Sequence, residues 1–109
     1  MPYDKGLAER LEELLSEHDG VQPRTMFGGL VWQLNGNICL GIYRDFLIIR
    51  IGADAAMSVL AEDHVKPMDI TGRPMKGWLM VAPEGLAEDA ALRRYAALAL
   101  DFVRGLPDK

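Results

Sequence analysis

The stretch LVWQLNGNICLGIY, residues 30–43, decides the fold. Apolar, largely β-forming residues flank Asn35-Gly36, and that pair tolerates the left-handed backbone at both corners of a type I′ turn. The reading is a tight hairpin. Arg44-Asp45 gives a second turn into FLIIRI (46–51), so residues 29–51 read as a three-stranded antiparallel meander. With two-residue loops at both turns, Leu34 faces Asn37, Tyr43 faces Phe46, and side chains alternate between two faces. Val31, Gln33, Ile38, Leu40, Ile42, Leu47, Ile49 and Ile51 then form an almost purely aliphatic face, expected to carry the core. Leu30, Trp32, Leu34, Cys39, Gly41, Tyr43, Phe46, Ile48 and Arg50 form the other. That face is too apolar for open water and asks for a cover: another part of the chain, a second subunit or a ligand.

Working outward, Leu7, Leu11, Leu14, Leu15 and His18 fall on one stripe of an amphipathic helix. Asp4 suits its N-cap and Gly20 its end, which predicts a helix over 5–18. ADAAMSVLA (53–61) predicts a short second helix. HVKPMDI (64–70) and MKGWLMV (75–81), separated by Thr71-Gly72-Arg73-Pro74, predict a second hairpin, with Pro67 placing its first strand short or at an edge. Leu92, Tyr95, Ala96, Ala99, Phe102 and Val103 make one stripe of a long C-terminal helix over 87–104. The expected order is α-β-β-β-α-β-β-α, with helices at both ends of an antiparallel sheet. The class is α+β, in one domain over 1–109.

At 109 residues, half of them hydrophobic and 26% charged, the chain can bury a core without staples. The lone Cys39 can form no internal disulfide, and no apolar run reaches the ~20 residues of a membrane span. The N-terminus lacks the apolar core of a signal peptide, so a cytoplasmic protein is expected. The net charge of −4 is uneven, because residues 1–20 hold six acidic side chains against two basic ones. Residues 21–81 hold six basic against five acidic, too few and too mixed for duplex DNA binding by charge.

Catalytic patterns are missing. His18 sits on a helix stripe and His64 stands beside Asp63. Cys39 is mid-strand with no histidine placed to activate it, and reads as a small packed hydrophobe. Two histidines 46 apart and one cysteine make no metal site. Ser16 and Ser58 lie in helical patterns, without a nucleophile elbow. The expectation is a protein that is no enzyme, with no metal and no cofactor.

The run Arg24-Thr25-Met26-Phe27-Gly28-Gly29 is followed by the Asn-Gly hairpin and later by Met75-Lys76-Gly77-Trp78-Leu79-Met80-Val81-Ala82-Pro83. In these features the chain resembles the N-terminal domain of the TfoX/Sxy family, bacterial regulators linked to natural competence. The resemblance implies an α+β fold and a regulatory, non-enzymatic role. Full-length members carry a second, C-terminal domain, whereas this chain stops at Lys109, so it resembles a stand-alone copy. The Gly28-Gly29 pair also has a structural reading, a bulge or close backbone approach before a strand.

Candidate partner-binding residues are Arg24, Met26, Phe27, Gly28 and Gly29 of the motif, and Trp32, Tyr43, Phe46 and Arg50 of the aromatic face. Arg73, Lys76 and Trp78 of the second hairpin complete the set. Rigid aromatics and arginine are the residue types that anchor interfaces. The expected role is a regulatory module binding another protein or a second copy of itself. The alternative is a transcription regulator contacting nucleic acid directly.

Overall fold

The computed structural model describes residues 3–26, 28–69, 72 and 75–107. Helix α1 (Lys5–Leu15) begins where the Asp4 carboxylate accepts the Leu7 N–H at 3.1 Å, and it buries Leu7, Ala8, Leu11 and Leu15. It closes at Ser16, short of the expected residue 18. Six strands follow among the described residues: β1 (Val21–Met26), β2 (Gly29–Leu34), β3 (Asn37–Tyr43), β4 (Phe46–Arg50), β5 (Val65–Pro67) and β6 (Trp78–Val81). Helix α2 (Ala53–Val59) links β4 to β5, and a 3-10 turn (Pro83–Leu86) leads from β6 into α3 (Asp89–Arg104). The strands lie in the order β1-β2-β3-β4-β6-β5, every pair antiparallel. This is the expected α+β class with helices at both ends.

Strand β1 is an addition to the expected order, which becomes α-β-β-β-β-α-β-β-α. Its sequence, VQPRTM, carries proline and polar residues and reads as a loop. It is tolerated as a strand because it forms an exposed edge, where a missing proline N–H is harmless. Met26 pairs with Gly29, and Gly28 between them takes φ 75°. Gly29 has no room for a β-carbon, because the Ile42 carbonyl oxygen occupies its place. The close backbone approach expected of the glycine pair is therefore made at Gly29. At the next turn Asn35 and Gly36 have φ 54° and 86°, the left-handed pair of a type I′ hairpin. The second hairpin forms as a shorter ladder, with the three-residue β5 ending at Pro67 on the far edge.

The assignment of residues to faces needs a correction at one point. Leu34 pairs with Asn37 and Gln33 with Ile38, as a two-residue loop requires, but Trp32 pairs with Leu40. Cys39 is the extra residue of a β-bulge, its thiol 3.2 Å from the Trp32 carbonyl oxygen. A bulge reverses the alternation beyond it. Trp32 and Leu30 thereby join Leu40, Ile42, Leu47 and Ile49, while Val31, Gln33 and Ile38 pass to the opposite face. The physical gain is burial. Without the bulge Trp32 would stand opposite Cys39 and beside Gly41; with it the indole packs over Leu40 and is 3% exposed. Trp32 is thus a core residue and not part of an exposed aromatic face.

One core fills the space between the sheet and the helices. Helix α3 crosses β2, β3 and β4, and its buried Leu92, Tyr95, Ala96, Ala99, Leu100 and Val103 meet Leu40, Ile42, Leu47 and Ile49. Buried residues of α1 and α2 belong to the same cluster. Asn37, the buried polar residue of this layer, donates its amide to the Pro107 carbonyl at 2.8 Å and ties β3 to the segment that follows α3. Ile48 and Met80 are also buried but stand outside the cluster, on the other side of the sheet.

Candidate functional site

Among the described residues no helix packs on the centre of the other side of the sheet. By register, Arg24 and Val31, Met26 and Gly29, Val31 and Gly41, Gly41 and Ile48, and Ile48 and Met80 are successive neighbours there. Gly29 and Gly41 put no side chain into this row, so it is hollow where its neighbours are bulky. Neither position accepts one readily: a β-carbon on Gly41 would lie 2.8 Å from both the Leu30 carbonyl oxygen and Val31 Cγ1. The hollow is about 290 Å³, and its walls come from Met26, Ile38, Tyr43, Met68, Met75 and Trp78. Met68 and Met75 approach from the β5–β6 connection, joined by a Met75 N–H to Met68 carbonyl hydrogen bond of 3.0 Å. Thioether side chains are unbranched and adaptable, so such walls can reshape around a guest.

The sequence candidates divide as follows. Met26, Gly29, Tyr43 and Trp78 line the groove, Phe46 and Arg50 lie on the same face, and Arg24 is exposed at its β1 end. Gly28 makes the turn beside it, and Lys76 is exposed in the segment between Met75 and Trp78. Trp32 is on the opposite face, and Phe27 and Arg73 lie outside the described residues. The sequence reading missed Val31 and Ile38, which the bulge moved, and Met68 and Met75. The clue to the latter pair was the recurrence of methionine on both sides of Trp78.

Cations frame this face. The Lys66 ammonium lies 4.9 Å from the Phe46 ring centroid. Arg44 lies 5.4 Å from that of Tyr43, and Arg50 5.4 Å from that of Trp78. Among the described residues no ion pair involves Arg24, Arg44, Arg50, Lys66 or Lys76. The helix side differs. There Arg10 meets Asp89 at 3.0 Å, Arg93 meets Glu17 at 4.0 Å, and Arg104 meets Asp101 at 3.5 Å. Arg94 makes a two-pronged pair with Glu62, which also accepts from the Tyr95 hydroxyl at 3.1 Å. The Arg94 hydrogen bonds, first among the causes, hold the Glu62 carboxyl below its ordinary range, and burial raises Tyr95.

Reactive groups are not gathered at the groove. Burial pushes the Cys39 thiol up to about 11, which keeps it protonated and poorly nucleophilic at neutral pH. His18 is engaged at a distance, 2.8 Å from an Arg104 nitrogen. Among the described residues no three His, Cys, Asp or Glu side chains converge as a metal site would require, and no helix is long and apolar enough to cross a membrane.

The sequence model of the TfoX N-terminal domain family matches residues 13–103, a span that includes all six strands and nearly all of α3. The chain belongs to that family. Searches of curated proteins and of solved structures returned no match.

Proposed function

We propose that this TfoX N-terminal domain is a non-enzymatic regulatory module that works by binding a protein partner through the helix-free face of its sheet. The observation that carries the reading is the methionine- and aromatic-walled groove, about 290 Å³, left open on a sheet whose other face is fully packed. Exposed apolar hollows of this kind with aromatic anchors mark interaction sites. The regulatory role is what the resemblance to competence regulators implies. The family motif supports the same surface, since Arg24, Met26 and Gly29 of the Arg-x-Met-Phe-Gly-Gly run lie on that face.

The experiment is photo-crosslinking in cells, with a photoreactive amino acid at Met75 on the groove wall or at Met57, which is 78% exposed on α2. A discrete adduct at position 75 and none at 57 is the expected result. Doubling of the chain's own mass would identify the partner as a second copy. Equal labelling at both positions, or none at 75, contradicts the reading.

A second reading, direct contact with nucleic acid, draws on the cations that frame the groove. Duplex DNA is the weaker candidate. A charge-driven binder makes about 6–10 phosphate contacts, and the first 20 residues carry a net −4 that would repel the backbone.

A further inference from the structure

We infer that the groove takes an acidic segment of a partner protein that presents two or three apolar side chains, a proposal that deepens the binding reading above and rests on it. The first ground is charge. Arg24, Arg44, Arg50, Lys66 and Lys76 surround or adjoin the groove without an ion-paired carboxylate among the described residues, whereas each arginine of the helix layer has one. Two carboxylates stand near this face in sequence, Asp45 and Asp69. Asp45 lines a separate cleft beside Asp4 and Arg10, and Asp69, exposed beside Met68, forms no ion pair with the rim cations among the described residues. Five positive side chains left around an apolar hollow are complementary to a segment with carboxylates flanking apolar anchors.

Size and shape give the second ground. At about 290 Å³ the hollow falls just below the roughly 300–1,000 Å³ range of small-molecule sites. It has polar groups at the rim and apolar groups within, the arrangement of a docking site for side chains rather than for a polar metabolite.

Other occupants fit less well. A second copy docked face to face would set one cationic rim against another, a like-charge arrangement that disfavours the pair. A second copy's α1 is acidic outside, but its apolar stripe is already buried in its own core. Single-stranded nucleic acid needs ring faces open for base stacking. Here Tyr43, Phe46 and Trp78 already carry the chain's own cations at 4.9–5.4 Å.

The test is fluorescence anisotropy with three labelled peptides of one leucine pattern, flanked by glutamate, glutamine or lysine, and with an oligo-dT strand. The glutamate peptide should bind roughly tenfold or more tightly than the glutamine one and weaken as salt rises. The Arg24→Glu/Lys66→Glu double variant, both positions exposed, should remove about that tenfold preference, so that the glutamate peptide binds no more tightly than the glutamine one. Equal binding of the glutamate and glutamine peptides would overturn the charge inference and leave the groove reading standing. Preference for the lysine peptide would overturn it outright. Binding of oligo-dT alone, or of none of the four probes, would overturn both the inference and the protein-binding reading.

Discussion

The two faces of the sheet are made from similar residues and have opposite fates. On the helix side Leu40, Leu47 and Ile49 are fully buried, and the helix layer's arginines each meet a carboxylate. On the open side Val31, Ile38, Tyr43 and Trp78 are half-buried around a hollow, and among the described residues the cations beside them form no ion pair. Both faces are apolar, so hydrophobicity does not tell them apart. Satisfaction does. One side has its volume filled and its arginines matched within the chain, and the other leaves both incomplete. A surface left incomplete in both respects is what a binding module offers to a partner, because the missing packing and the missing countercharge can then come from one source.

Core substitutions give the largest test of this contrast. Leu47→Ala, on the filled face, should destabilise by about 2–5 kcal/mol in urea unfolding, since it removes packed methyl groups and leaves a cavity under α3. Ile38→Ala, on the open face, should lose no more than about 1 kcal/mol, because its surroundings are already partly solvent. Equal losses would mean that the chain itself fills the open face. Next in size is Asn37→Ala. The carbonyl of exposed Pro107 would lose its amide donor from a part-buried hydrogen bond, an expected loss of about 0.5–1.5 kcal/mol. A change near zero would show that water replaces the amide and that the tie from β3 to the C-terminal segment is dispensable.

The smallest effect concerns the matched charges. Glu62 and Arg94 are both partly exposed, at 33% and 51% for their side chains, so Glu62→Gln should lower stability by only about 0.2–1 kcal/mol at neutral pH. The sign with pH follows from the depressed carboxyl. The pair's contribution is present above the ordinary carboxylate value of 4.5 and is lost as pH falls through the lower folded one. Wild type and variant should therefore converge in thermal melts as the pH is lowered below the ordinary carboxylate value. A gap that widens on acidification would show that Glu62 does not act through Arg94.

The elements of the fold were largely legible because turn chemistry and periodicity agree over most of the chain. Asn35-Gly36, the Leu7–Leu15 stripe and the Leu92–Val103 stripe each signal their element locally. Strand β1 was hidden because its pairing lies on an exposed edge, where neither alternation nor β-forming residues are required. The faces were half legible. Alternation counted from the turn holds to Ile38 and fails at Cys39, since a bulge depends on what the finished core gains and leaves no mark of its own in the sequence. That one residue decided whether Trp32 belonged to a surface or to the core. The site was legible in Met26, Gly29, Tyr43 and Trp78. Its other walls, Val31, Ile38, Met68 and Met75, depend on tertiary placement.

The central claim concerns which face meets the partner, and the methionine methyl groups report on it directly. In a methyl-labelled sample titrated with the glutamate-flanked leucine peptide, the resonances of Met26, Met68 and Met75 should shift together and saturate at one affinity. Met57, exposed on α2 away from the groove lining, should stay in place. Shifts confined to Met57, or a groove set that stays still while the peptide binds, would contradict the account.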